Sequence, residues 1–500
     1  MKAQEQSLAG RTIAAAKWSY AGNAIRAVSQ FLVGILLARL LGPAAYGTIA
    51  IAWIIVGLGK LVSDFGLGAA LIQRPDLGER DIRFAFTVQL LIGCGLGLVG
   101  VAGAPVIAAY FKDPGAIPVI RVMSLLFVVQ AIGQVGTSLL TRGLRFKAIQ
   151  LAGISTYLLG YLGVGFVLAL AGAGVWSLVA AQMVQTISFA IVVMWLAGTR
   201  VGLCLQAEST GLFRFGGKVI GANLASWALL NVDSLFVGRA LGVTQLGLYN
   251  RAMTLVSTPT STIVASAQPV LFSGCSRLNK DYDRVLPVYL GVTGGIAIVV
   301  LPVFLVIAAI PDTVVSAVYG DAWLEAATIL TPLALAMPVF ALLSVIGPVL
   351  MAVDRVELEV RAQWVALLIS VPILGLTAHH SLTALGWGVL MSYLVRFVLL
   401  AMAIRKATGL TWARWMNAIA PAAALAGIVG TSVYAADRAC AISDPHSRLG
   451  IDMLVAAVTY ALALRALGPT VGRTPVGTLL QARALMPSPL RRWLRISHLA

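Results

Sequence analysis

Apolar stretches of about 20 residues recur along this 500-residue sequence, and short polar breaks separate them. An α-helix needs roughly 20 mostly apolar residues to cross a bilayer. Hydrophobic residues make up 59% of the chain and charged residues 11%, whereas soluble domains average about 45–50% and about 25%. The sequence therefore predicts an all-α polytopic membrane protein.

Hydropathy predicts 14 transmembrane helices. The seventh and eighth are the most polar, because they contain Lys218, Asp233 and many Ser and Thr residues. The predicted spans lie near residues 18–40, 46–70, 84–110, 118–140, 149–170, 175–197, 218–241, 247–273, 287–310, 327–351, 359–377, 384–404, 413–435 and 449–467.

The distribution of basic residues predicts the orientation of these spans. With the N-terminus in the cytoplasm, 26 of the 36 Lys and Arg residues fall in cytoplasmic segments and 6 fall outside. Loops rich in Lys and Arg stay in the cytoplasm, so we expect both termini there. The same bias accounts for the net charge of +17, and we expect no nucleic-acid partner.

An internal repeat appears at an offset of 200 residues. ARLLGPAAYG at 38–47 matches GRALGVTQLG at 238–247, with the shared frame R-x-L-G-x4-G. Six spans separate the two copies, so both copies enter the membrane in the same direction. Parallel repeats of this kind are related by an axis along the membrane normal.

The repeat therefore predicts two six-helix lobes related by a pseudo-two-fold axis along the membrane normal. The N-lobe takes residues 1–200 and the C-lobe residues 201–408. Two C-terminal helices follow at 409–467, and a basic cytoplasmic tail completes the chain at 468–500.

Polar residues in the first two spans form a candidate binding surface. Asn23, Arg26 and Gln30 follow an i, i+3, i+7 spacing on the first span, and Lys60 and Asp64 are i, i+4 neighbours on the second. Ionisable groups inside a membrane are costly and should face a cavity or a partner. Arg and Lys in a wet cleft would bind an anionic headgroup such as a diphosphate.

The seventh and eighth spans carry a matching set of polar residues. Asn223 and Asp233 lie on the seventh span, and Arg251 opens the eighth. We take Arg251 and Asn223 as further substrate-binding candidates, and Asp64 and Asp233 as ion-coupling candidates. A structural interpretation remains open, in which Lys60 pairs with Asp64 and Arg26 pairs with Asp233.

The sequence carries no motif of an enzyme or of a cofactor site. Metal-ligand spacings such as HExxH and the nucleotide-binding pattern GxxxxGK[ST] are absent. The loops on the outer side are a dozen or so residues at most, which argues against a membrane polysaccharide polymerase. We therefore predict no enzymatic activity, no cofactor and no metal.

The run from Leu41 to Leu77, LGPAAYGTIAIAWIIVGLGKLVSDFGLGAALIQRPDL, resembles the polysaccharide-transporter branch of the MOP flippase superfamily. Two further marks fit that branch. RGLRFK follows the fourth span at 142–147, and the D-x-x-x-V-G-R-x-L-G pattern closes the seventh span at 233–242.

This resemblance implies a flippase for undecaprenyl-diphosphate-linked oligosaccharide repeat units in the bacterial inner membrane. Such a protein works by alternating access and serves exopolysaccharide, capsule or O-antigen (lipopolysaccharide) synthesis. Its expected partners are the lipid-linked oligosaccharide and membrane lipids, with a polysaccharide polymerase and export proteins as candidates. The alternatives are a lipid-linked peptidoglycan precursor flippase or a multidrug exporter of the same superfamily, although cationic drugs would favour acidic cavity groups.

The charge bias makes a testable prediction about topology. A reporter active only in the cytoplasm should be active when fused at 142–147, after the fourth span. A periplasm-specific reporter should be active when fused at His379–His380, after the eleventh span. The reverse pattern of activity at both positions would contradict the predicted orientation.

Overall fold

The computed structural model describes residues 2–63, 68, 71–72, 78–198, 202–204, 216–278, 282–440, 442, 444–472 and 475. All regular secondary structure in these residues is helical. The chain forms two compact units, Met1–Asn250 and Arg251–Ala500.

The first unit is built around a long N-terminal helix. The elements are α1 (Lys2–Ser63), α2 (Glu79–Phe111), α3 (Ala116–Ser124), α4 (Leu126–Arg142), α5 (Phe146–Tyr157), a π-helical segment (Leu158–Gly165), α6 (Phe166–Leu170), α7 (Val175–Ala197), α8 (Gly216–Ala240) and the start of α9 (Val243–Ser276). Helix α4 packs on α7 and on α2, while α1 packs on α5, α3 and α8.

The second unit contains the rest of α9 and the helices that follow it. The elements are α10 (Tyr282–Ala309), α11 (Pro311–Tyr319), a 3-10 turn (Asp321–Ala326), α12 (Ala327–Ser344), α13 (Ile346–Ala352), α14 (Val356–Ala378), α15 (Leu382–Thr408), α16 (Trp412–Ala439) and α17 (Pro445–Gly472). Helix α10 packs on α16 and α12, α15 packs on α14 and α12, and α16 packs on α17.

The helices confirm the predicted fold class. Over its described residues, each predicted span coincides with a helix or with consecutive helical segments, and α1 contains the first span and residues 46–63 of the second. Within the described part of the chain, 11 helices are long and apolar enough to cross a membrane. The most polar spans, α8 and α9, are not among these 11. The lobe boundaries and the pseudo-two-fold axis stay predictions, and residues 476–500 of the basic tail lie outside the described residues.

Large apolar side chains cover the outer faces of several helices. Leu98 and Val106 on α2 are 71% and 74% exposed, and Leu368 on α14 is 72% exposed. Apolar surfaces of this extent are rare in water, but they suit contact with lipid tails. These faces therefore support a protein that spans the membrane.

The repeated motif breaks the helices at its first glycine. Gly42 has φ 69° and ψ 174°, and Gly242 has φ 92°. Both φ values lie in the region that glycine adopts without the penalty of a Cβ atom. Gly42 therefore divides α1 into its two spans, and Gly242 separates α8 from α9.

The last glycines of the two motif copies pack against each other. A Cβ added to Gly47 would lie 1.8 Å from the Val243 carbonyl oxygen, and one added to Gly247 would lie 2.0 Å from the Pro43 carbonyl oxygen. Pro43 and Val243 hold corresponding positions in the two copies, so the contact is reciprocal. Reciprocity of this kind is the mark of a local two-fold relation.

We predict that Gly47→Ala destabilises the protein, because the methyl group would overlap backbone atoms that cannot move as a flexible side chain can. Overpacking costs roughly 1–3 kcal/mol in most proteins, and we expect at least that loss. Gly95→Ala on α2 is the matched control, since nothing lies within 4 Å of a Cβ added there. Thermal unfolding in detergent measures both variants, and equal stability of the two would contradict the close contact.

Candidate functional site

Arg26 lines a cavity of about 360 Å³ inside the first unit. The walls come from α1, α4, α5 and α7, and Ile149, Gly153 and Phe189 lie among the lining residues. Among the described residues, the polar wall residues besides Arg26 are all neutral: Gln130, Gln134, Thr137, Gln182, Gln185 and Thr186. In the described lining, one guanidinium therefore shares this cavity with four amide side chains and two hydroxyls.

The polar lining follows from helical spacing. On α4, Gln130, Gln134 and Thr137 stand at i, i+4 and i+7, which places them on one face of the helix. Small residues beside them let α4 and α7 approach closely: a Cβ added to Gly136 would lie 2.9 Å from the Val193 carbonyl oxygen. Helices α4 and α7 are therefore in contact at Gly136, and the longer polar side chains of both helices line the cavity.

The Arg26 guanidinium is half-buried and faces Gly153 on α5. A Cβ added to Gly153 would lie 3.6 Å from Arg26 Nη1, so glycine keeps space open beside the charge. Among the residues that the structure describes, none forms a hydrogen bond or an ion pair with the Arg26 side chain. No described residue therefore occupies the donors that Arg26 presents at the cavity.

One glutamine of the lining is fixed by its neighbours. Tyr161 Oη donates to Gln182 Oε1 at 2.7 Å, and Gln182 Nε2 donates to Thr186 Oγ1 at 3.1 Å. The amides of Gln130, Gln134 and Gln185 form no hydrogen bond with any described residue. These three amides can donate to and accept from a polar ligand.

The other predicted residues of the first span lie beside the cavity lining. Asn23 is exposed, and its Oδ1 accepts a hydrogen bond from Gln150 Nε2 at 3.1 Å. Gln30 is exposed, and its backbone carbonyl accepts from Tyr157 Oη at 3.5 Å. Of the three residues that the sequence places on one face of the first span (Asn23, Arg26 and Gln30), only Arg26 lines the cavity.

Asp233 is buried at the end of α8 and has partners of its own. Tyr249 Oη donates to Asp233 Oδ2, and the Ser234 backbone N–H donates to Oδ1 at 2.6 Å. No ion pair with Arg26 is formed. The carboxylate thus links α8 to the start of α9, and its role in ion coupling stays a prediction.

The remaining candidates lie elsewhere or beyond the described atoms. Arg251 is buried in the second unit, where its carbonyl accepts from Tyr319 Oη at 3.2 Å. Burial raises the pKa of Tyr319, and the nearby charge of Arg251 partly offsets this rise. Asp64 lies outside the described residues, as do the side chains of Lys60 and Asn223, so their roles stay predictions.

The glutamines were missed by sequence reasoning, although a signal exists. Gln130, Gln134 and Thr137 repeat the same spacing that singles out Asn23, Arg26 and Gln30. Sequence reasoning selected residues by their charge, and these glutamines are neutral. The spacing of the polar residues alone, whatever their charge, predicts a polar face on α4.

Comparison with known proteins agrees with the fold and with the motifs. Residues 36–328 match the model of a family described as "Polysaccharide biosynthesis protein". The chain belongs to this polysaccharide biosynthesis protein family.

Relatives of this family member occur in several bacteria. The teichuronic acid biosynthesis protein TuaB of Bacillus subtilis is 24% identical, over 79% of this chain and 82% of its own length. The lipopolysaccharide biosynthesis protein WzxC of Escherichia coli is 24% identical, over 71% and 73%. The succinoglycan biosynthesis transport protein ExoT of Rhizobium meliloti is 25% identical, over 65% and 66%.

Solved structures show the fold of the family member. The lipid II flippase MurJ in an inward closed conformation matches with a TM-score of 0.74 at 12% identity, over 90% of this chain and 99% of its own. A multidrug resistance MATE transporter of the MOP superfamily, in an inward-facing conformation, matches with 0.59 at 14% identity, over 77% and 98%. The chain therefore shares the fold of these two proteins.

The cavity makes a prediction about access to water. In a background without the four native cysteines, Gln134→Cys should react with a negatively charged, water-soluble methanethiosulfonate reagent. Arg26→Gln should slow that reaction several-fold and leave a neutral reagent unaffected, because the positive charge concentrates anions in the cavity.

The control is Leu98→Cys, whose side chain is exposed on the apolar face of α2. This cysteine should not react, because lipid excludes both water and the reagent. Equal reaction rates of Gln134→Cys and Leu98→Cys would contradict a water-filled cavity. A rate at Gln134→Cys that stays the same after Arg26→Gln would contradict its positive charge.

Proposed function

We propose that this protein is a flippase that moves undecaprenyl-diphosphate-linked oligosaccharide repeat units across the bacterial inner membrane. The product serves exopolysaccharide, capsule or O-antigen synthesis. One observation carries the proposal: Arg26 has no partner among the described residues and borders a cavity whose other described polar walls are neutral amides and hydroxyls. The protein acts as a transporter and catalyses no covalent step.

The chemistry of the cavity suits the two polar parts of such a substrate. A guanidinium binds phosphate oxygens through two parallel hydrogen bonds. Amide side chains both donate and accept, so Gln130, Gln134 and Gln185 can pair with sugar hydroxyls in many orientations. The undecaprenyl chain stays in the bilayer, in contact with apolar faces of the kind that Leu98 and Leu368 present.

The names of the relatives support the substrate class. They refer to teichuronic acid, lipopolysaccharide and succinoglycan biosynthesis, and these are different polymers. A carrier of lipid-linked sugars across this family therefore needs a fixed contact for the part that such substrates share. We assign that contact to Arg26 and Lys60, with Arg251, Asn23, Gln30 and Asn223 as further substrate contacts.

Transport proceeds by alternating access, with the termini in the cytoplasm. An ion gradient or the gradient of the substrate drives it, and Asp64 and Asp233 are the candidate coupling groups. A membrane polysaccharide polymerase and export proteins would take the product from the outer leaflet.

Removing either cation should strongly reduce export. A hydrogen bond to a charged group contributes about 1.5–3 kcal/mol, so Arg26→Ala should weaken substrate binding by roughly 10- to 100-fold. Lys60→Ala should have an effect in the same direction. Surface polysaccharide in a strain that lacks the native gene measures export, and an immunoblot of membranes checks that each variant is present.

Arg121→Ala is the matched control, because Arg121 is exposed on α3 and outside the cavity lining. This variant should export normally. Arg26→Lys keeps the charge without the bidentate geometry and should restore part of the export. Full export by both Arg26→Ala and Lys60→Ala would overturn the proposal.

A further inference from the structure

A buried cluster of charged side chains joins the last two helices in the second unit. Asp437 lies near the end of α16, Arg448 and Asp452 lie in the first two turns of α17, and Thr313 lies in α11. Asp437, Asp452 and Thr313 are 7%, 0% and 6% exposed. The cluster is separate from the Arg26 cavity, and the proposed transport function makes no use of it.

Two side chains donate three hydrogen bonds to the Asp437 carboxylate. Arg448 Nε donates to Oδ1 at 2.7 Å, and Arg448 Nη2 donates to Oδ2 at 2.8 Å. Thr313 Oγ1 donates to Oδ1 at 2.9 Å. The guanidinium and the carboxylate thus form a bidentate ion pair, which uses the one positive charge of the cluster.

Asp452 is in the opposite situation. It is completely buried, and neither of its carboxyl oxygens has a hydrogen-bond partner among the described residues. Its carboxyl group interacts directly with that of Asp437. The groups that face the two acids are Arg448 from α17 and Thr313 from α11, and Cys440 after α16 lies near Arg448.

Without a bound cation or proton, the charges of Asp437, Arg448 and Asp452 do not sum to zero. Two carboxylates and one guanidinium leave one negative charge. Both carboxyl groups are buried, although the Arg448 side chain is 32% exposed, and a buried charge without a partner is unfavourable. Two carboxyl groups in contact avoid this cost when they share one proton. A shared proton would also give Asp452 a donor and satisfy one of its empty oxygens.

We propose that Asp452 and Asp437 form a proton-binding site. In this site Asp452 is protonated, and its carboxyl O–H donates a hydrogen bond to the Asp437 carboxylate. The bound proton connects α17 to α16 and, through Thr313, to α11. Its loss would place two negative charges side by side and loosen that connection. The inference stands on the geometry of this cluster and holds whatever the protein transports.

Infrared difference spectroscopy on the purified full-length protein tests the site. Between mildly acidic and alkaline pH, the wild type should lose a C=O stretching band of a protonated carboxyl group. Asp452→Asn should lack this band, because its amide holds no titrating proton yet can still donate to Asp437. Asp437→Asn should lack it as well, because Arg448 is then free to pair with an ionised Asp452.

Thermal unfolding gives a second measurement. The folded wild type holds a proton that the unfolded chain releases, so its Tm should fall as the pH rises. Asp452→Asn should lose this part of the pH dependence. If Asp452→Asn fails to fold, the missing band in Asp437→Asn tests the same assignment.

Asp444→Asn is the matched control on the connection between α16 and α17. Hydrogen bonds from the Ser447 hydroxyl and backbone N–H lower the pKa of Asp444, and the Ser447 N–H donates to it at 2.8 Å. This exposed carboxylate should contribute nothing to the band, so the variant should match the wild type.

Two results would overturn the proposal. One is an unchanged band in both Asp452→Asn and Asp437→Asn. The other is a band that vanishes when sodium chloride replaces choline chloride at constant pH, because that would make the site a sodium site.

Discussion

Two segments of backbone meet in the first unit with no side chain between them, and the arrangement of its central helices depends on that contact. Helices in lipid gain little from hydrophobic burial against each other, so close packing through small residues must hold them together. Gly47 and Gly247 provide that packing, each against the carbonyl of the other motif copy. The glycines at 42 and 242 then let the chain turn immediately before the contact. One motif, used twice, therefore sets both the break in each helix and the place where the helices cross.

Polar groups inside this protein meet the cost of leaving water in three ways. Asp437 is paired with Arg448, and its charge is neutralised inside the protein. Asp233 accepts hydrogen bonds from Tyr249 and Ser234, which hold it without a cation. Arg26 has neither solution among the described residues and instead borders a cavity. The first two arrangements stabilise the fold, and the third leaves binding capacity unused.

Hydropathy predicted the spans because each must be apolar over a fixed length, and the repeat pointed to the glycines because only glycine permits the turn and the close approach. The candidate site was harder to predict. The spacing of Asn23, Arg26 and Gln30 places them on one face of the helix. The packing of α4, α5 and α7 decides which of them lines the cavity. The partner of Asp233 was also out of reach, since Tyr249 lies 16 residues away on another helix. Pairing of that kind is set by tertiary contacts that spacing along one helix does not encode.

Unused hydrogen-bonding capacity, more than polarity, separates a binding surface from a structural one. Gln182 and Gln185 are the same residue type three positions apart on α7. Tyr161 and Thr186 occupy the amide of Gln182, whereas that of Gln185 is open to the cavity. An open amide changes from donor to acceptor by rotating about one bond, so such a wall accepts hydroxyl groups in varied arrangements at little cost. A guanidinium can only donate hydrogen bonds, and its planar arrangement of N–H groups matches the oxygens of an anion such as phosphate. A wall of amides with one fixed charge is therefore suited to a ligand whose neutral part varies and whose anionic part stays constant.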